Sequence, residues 1–198
     1  IPTMTSNRLE AFSDGVIAII LTIMVLELKI PHGSDLSALR PLIPAYISYV
    51  LTFIYIGIYW NNHHHLFQAV QRVNGTILWA NLHLLFWLSI VPFMTGWMGE
   101  NHFAVYPVVS YGAVLLMCGV AYYILAQTLV KHHRENSVLV KAIGNDFKGK
   151  ISVVIYMAAI VLAFVNEWIA FGLYVVVAAI WFVPDNRIEN RLTKTEKE

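Results

Sequence analysis

Two stretches carry most of the chemistry this chain can offer. Residues 59–67 read YWNNHHHLF and place Trp60, Asn61, Asn62, His63, His64 and His65 at the end of a long apolar run. Residues 8–14 read RLEAFSD and place Arg8, Glu10, Ser13 and Asp14 at the start of another. A third run contributes Asn81 and His83. Histidine with carboxylate could bind a metal, carry a proton or hold helices together through hydrogen bonds. Three consecutive helical residues point about 100° apart, so His63, His64 and His65 cannot converge on one ion by themselves. A metal site would need a partner such as His83 or Asp14. The residues alone leave three readings: a hydrogen-bonded or interfacial cluster, a metal site, or a proton-responsive group.

The elements that position these residues are membrane spans. The 198 residues are 58% hydrophobic and 13% charged, with a mean hydropathy of +0.63. Soluble domains are about 45–50% apolar and about 25% charged. The bulk therefore predicts an all-α integral membrane protein. Spans of roughly 20 apolar residues fall at about 8–29, 42–66, 76–97, 104–130, 150–166 and 168–184, within a single six-helix domain over 1–198. Residues 151–183 are too long for one span, and Asn166 with Glu167 divides them. Pro92 inside helix 3 predicts a kink, since it lacks the backbone donor that would reach Leu88. The first apolar run exceeds the hydrophobic region of a signal peptide, so no cleavable signal is expected.

Lys and Arg set the orientation. With cytoplasmic N- and C-termini, eleven of the thirteen lie inside: Arg8, Arg72, Lys131, Arg134, Lys141, Lys148, Lys150, Arg187, Arg191, Lys194 and Lys197. Lys29 and Arg40 lie outside. The near balance of 13 basic and 12 acidic residues gives no basic stripe for nucleic acid. Cys118, the one cysteine, reads as a small core hydrophobe.

The same topology brings the polar residues to one depth. Asp14 lies about 9 Å into helix 1 at about 1.5 Å per residue. The end of helix 2 and the start of helix 3 return to that layer. Intramembrane polar groups pair or line water, so Arg8, Ser13, Asp14, Trp60, Asn61, Asn62, His63, His64, His65, Asn81 and His83 predict a network clamping helices 1, 2 and 3. Ile19, Ile23, Leu26 and Ile30 form an apolar stripe facing elsewhere, and by periodicity alone they are lipid-facing or core. Glu27 is expected to reach outer interfacial water. No TVGYG loop, GxSxG, HExxH or P-loop lysine motif occurs, and no cofactor is expected.

The pattern R-x-x-x-F-S-D, formed by Arg8, Phe12, Ser13 and Asp14 ahead of an apolar helix, resembles the start of the transmembrane protein 175 family of endolysosomal potassium channels. IYWNNHHHLF and NLHLLFWLSIVPFMT extend the resemblance. It implies a homotetramer in the cell membrane with helix 1 lining a central pore, a preference for K⁺ among permeant monovalent cations, and no P-loop filter. It implies a hydrophobic constriction at Ile19 with Ile23 and Leu26 also facing the pore, and a selectivity-linked hydroxyl at Thr22. Arg8, Phe12, Ser13 and Asp14 would belong to a helix-bridging network with Trp60, one of His63, His64 and His65, and Asn81. Relatives elsewhere in that family also pass protons. Two other classes stay in competition: a proton-coupled transporter using Asp14 and the histidines, and an intramembrane enzyme or metal protein.

Overall fold

The computed structural model describes residues 4–70, 72–133 and 147–182. Six helices occur among them: α1 (Ser6–Leu26), α2 (Ile43–Gln68), α3 (Gly75–Glu100), α4 (Val105–His132), α5 (Phe147–Leu162) and α6 (Glu167–Phe182). Each lies within a few residues of the range expected from the sequence. Arg134, Lys141, Arg187, Arg191, Lys194 and Lys197, and most of the expected polar loop and tail, lie outside the described residues.

Local chemistry fixes the ends. α1 stops at Leu26 rather than 29; Pro31 and Gly33 follow closely and disfavour further helix. A 3₁₀ turn, Leu36–Leu42, leads into α2, where Pro44 occupies the first helical turn. Asn74 caps α3 by accepting a hydrogen bond from the Ile77 amide at 3.0 Å. α3 then runs as one helix through Pro92. Asn166 divides the last apolar stretch, as its composition suggested, and accepts from the Trp168 amide at 2.8 Å to start α6.

α1 to α4 are each long and apolar enough to cross a membrane. The 16 described residues of α5 and of α6 rise about 24 Å each, less than the roughly 30 Å of a bilayer's hydrocarbon core. α3 is central and packs on α1, α2 and α4. α5 and α6 form a hairpin against α4 and α2. α1 sits at the edge, with α2 and α3 as its main neighbours.

One pairing was not foreseen. Met4–Thr5 and Arg72–Val73 form a two-residue antiparallel ladder. It ties the start of α1 to the α2–α3 connection and so fixes the three ends of the polar layer at one level.

The core on the far side of α2 is held by hydroxyls. Thr52 Oγ1 lies 2.9 Å from Thr95 Oγ1 and 3.0 Å from Tyr111 Oη. Tyr55 donates to the Tyr174 carbonyl at 2.6 Å, and Tyr174 donates to the Val108 carbonyl at 3.1 Å. Gly112 lies directly beneath the Tyr174 ring, where any Cβ would collide with the phenol.

Candidate functional site

α1 has two faces of opposite character. Leu9, Ser13, Ile17, Ile20 and Met24 are buried against α2 and α3. Phe12, Ile19, Ile23 and Leu26 are exposed, Ile19 at 58% and Leu26 at 81%. Phe12, Ile19 and Leu26 are spaced seven apart, which keeps them within about 20° per step on one side of the helix. Thr22 lies between them and is also exposed. Its hydroxyl donates to the Ile19 carbonyl at 2.8 Å. The donor is thereby used within the helix, and the oxygen lone pairs remain available to a cation or water.

The buried face is fastened by a directional hydrogen-bond chain. Ser13 donates to the Leu9 carbonyl at 2.8 Å. The Ser13 oxygen accepts from Asn81 Nδ2 at 2.9 Å. Asn81 Oδ1 then takes a hydrogen bond from His63 Nε2 at 2.8 Å. Because the amide nitrogen donates to Ser13, its oxygen must accept, so His63 carries a proton on Nε2. His63 Nδ1 is buried and has no hydrogen-bond partner among the described residues. Ser13, His63 and Asn81 are all at most 1% exposed. The chain joins α1, α3 and α2 in that order, and an amide in its middle makes it a clasp rather than a proton relay.

A second, more exposed track runs beside it. Trp60 Nε1 donates to Asp14 Oδ1 at 3.0 Å. His64 Nδ1 donates to Glu10 Oε1 at 2.6 Å, and Gln68 Nε2 donates to His64 Nε2 at 2.8 Å. The rings of Trp60 and His64 stack at 6.0 Å. Glu10 and Asp14 are four apart on α1, as Trp60 and His64 are on α2, so two antiparallel helices meet as a two-rung ladder. Glu10 was absent from the expected network. Its spacing from Asp14 is the signal that could have found it.

Several expected partners stand elsewhere. Arg8 is exposed and makes no hydrogen bond or ion pair among the described residues; it lies about 120° round the helix from Asp14. Phe12 is 53% exposed on the outer face rather than in the clasp. His65 is half-buried, with its ring 5.8 Å from that of His64. His83 accepts from Trp87 of its own helix at 3.0 Å. Asn62 donates to Ile58 one turn back at 2.9 Å. The three histidines therefore serve three directions, and among the described residues no group of three metal-ligating side chains converges. At the opposite end of α1, Lys29 pairs with Glu100 at 2.8 Å, and Glu27 is exposed beside them.

Comparison with known proteins draws these observations together. The family model for the endosomal/lysosomal potassium channel TMEM175 matches residues 8–92. That segment begins at Arg8 and covers nearly all of the three clasped helices. A protein of a Chryseobacterium strain named a potassium channel is 56% identical over 189 residues, spanning 96% of this chain and 98% of its own. A Streptomyces collinus protein of the same description is 41% identical over 99 residues, 48% of each chain. The crystal structure of a lysosomal potassium-selective channel TMEM175 homolog from Chamaesiphon minutus superposes with a TM-score of 0.77 at 28% identity, covering 89% of this chain and 95% of that one. With α1 bearing the R-x-x-x-F-S-D pattern, a clasp to α2 and α3 and an exposed outer face, this chain belongs to the TMEM175 family.

Proposed function

We propose that the chain is one subunit of a potassium-preferring cation channel of the cell membrane, a homotetramer in which α1 of each copy lines the conduction path and both termini are cytoplasmic. The single observation that carries this reading is the division of α1. One face is clamped by Ser13 and Asp14, while the seven-spaced face of Phe12, Ile19 and Leu26 is left exposed by the described residues of its own subunit. Four such faces around an axis form rings. The Ile19 ring is the constriction, with Ile23 and Leu26 continuing the apolar wall outward. A ring of branched aliphatic side chains offers no ligands and closes by excluding water. The clasp lets the inner face of α1 stay fixed to α2 and α3 while the subunit moves as a body, so opening widens the ring without unwinding the helix.

Thr22 supplies the one hydroxyl on that face. Its back-bonding to Ile19 leaves a ring of oxygen acceptors one turn beyond the constriction, and these would contact a partly dehydrated K⁺. The relatives' description as potassium channels supports the same ion.

The test is reconstitution in planar bilayers with opposed K⁺ and Na⁺ gradients. The reading expects discrete single-channel steps reversing near the K⁺ equilibrium potential. Reversal near the Na⁺ potential contradicts the ion assignment, and saturable flux without steps favours a carrier.

A further inference from the structure

A cavity lies away from α1. It occupies about 310 Å³ between α2, α4, α5 and α6, within the size range of small-molecule sites, about 300–1,000 Å³. Its wall is mainly apolar, formed by residues such as Ile58, Gly119, Val120 and Val153, and its lining includes no carboxylate among the described residues. One end is different. Lys150 borders it, is exposed, and has no hydrogen bond or ion pair among the described residues. Trp181 stands beside it in a fixed pose: its Nε1 donates to Ser152 Oγ at 2.9 Å, and that hydroxyl donates to the Lys148 carbonyl at 2.8 Å. The Lys148 ammonium lies 6.0 Å from the centre of the Trp181 ring.

We propose that this cavity binds an anionic glycerophospholipid, with an acyl chain against Gly119 and Val153 and the phosphate at Lys150. The apolar slot matches a hydrocarbon chain, and the lysine at its rim matches an anionic headgroup. Trp181 lies where indole rings concentrate, at the depth of the headgroups. The inference rests on the channel reading in one respect: four copies gathered about α1 leave this cavity on the lipid-facing perimeter. The expected orientation then places its basic end in the cytoplasmic leaflet, where basic pockets between spanning helices take such lipids.

The experiment is native mass spectrometry of the purified full chain offered palmitoyl-oleoyl phosphatidylglycerol or the matching phosphatidylcholine. Phosphatidylglycerol should be retained about fivefold better, the factor one lysine adds at an anionic surface. Lys150→Gln should abolish that preference. Gly119→Leu should lower retention of both lipids, because residue 119 lines the slot and a Cβ there has open space but for the Tyr59 hydroxyl at 3.8 Å, so a longer side chain would occupy the slot. Val153→Phe blocks the same slot from α5 and serves if the Gly119 variant fails to fold. Equal retention of the two lipids by the parent chain, or retention unchanged in Lys150→Gln and in the slot variants, overturns the proposal. Lipid retention is read without any current, so a chain that binds phosphatidylglycerol in this way but conducts nothing contradicts the channel reading alone.

Discussion

The two sides of α2 are held by different chemistry. Towards α1 and α3 the links are amide, imidazole and carboxylate groups arranged in one direction, from His63 through Asn81 to Ser13 and from Trp60 to Asp14. Nearer the start of α2, towards α3, α4 and α6, they are hydroxyls that share bonds, Thr52 with Thr95 and Tyr111, and Tyr55 with the Tyr174 carbonyl. In the first region each group has a fixed role as donor or acceptor, so losing one strands its neighbours. In the second a hydroxyl can turn to another acceptor, as Thr95 does towards the Val91 carbonyl at 2.8 Å. The clasp therefore sets the position of α1, whereas the hydroxyl layer fills a core that tolerates exchange.

Substitutions in the two regions would break or sharpen that contrast. Asn81→Leu should have the largest effect. It leaves His63 with no side-chain hydrogen bond among the described residues, at about 1–3 kcal/mol for an unsatisfied buried group, and takes the Asn81 donor from Ser13, which keeps its bond to the Leu9 carbonyl. Thermal unfolding of the detergent-solubilised protein should register a clear loss, with fewer assembled oligomers. Thr52→Val should cost about 1 kcal/mol, the low end of the same range, because Thr95 loses Thr52 but keeps its bond to the Val91 carbonyl and the Tyr111 hydroxyl is free to rotate. Were Thr52→Val as damaging as Asn81→Leu, the distinction between the two regions would collapse. Glu10→Gln should do least. It keeps an acceptor for His64 and removes only a partly exposed charge, worth about 0–1 kcal/mol. Its effect on melting should shrink further in high salt.

The contrast also explains what could be read from the chain. Arg8, Ser13, Asp14, Trp60, Asn81 and the histidines drew attention because ionisable and amide groups are costly in hydrocarbon. Topology placed them at one depth, and the spans themselves followed from apolar run length. Which histidine faces Asn81 was not legible, since His63, His64 and His65 differ only by rotation about α2. Packing sets that rotation, by burying Tyr55, Ile56, Leu66 and Phe67. Arg8 and Phe12 were grouped with the clasp by pattern, although their angular positions on α1 already pointed away from it. The hydroxyl layer passed unnoticed for another reason: threonine and tyrosine sit comfortably in apolar runs, and the partners of Thr52 lie 43 and 59 residues away. The short ladder of Met4–Thr5 with Arg72–Val73 left no periodic signal at two residues a strand.

The outer face of α1 is where fold and function meet, and Ile19 is its narrowest point on this account. The most direct measurement compares K⁺ currents of the parent protein and Ile19→Asn in planar bilayers at equal protein density. A polar side chain wets the ring, and removing a barrier of about 1.4 kcal/mol raises conduction about tenfold. The account predicts an increase of that order with unchanged thermal stability, since Ile19 touches little within its own subunit. Currents indistinguishable from the parent, in a protein that folds and assembles equally well, would contradict the placement of Ile19 at the constriction.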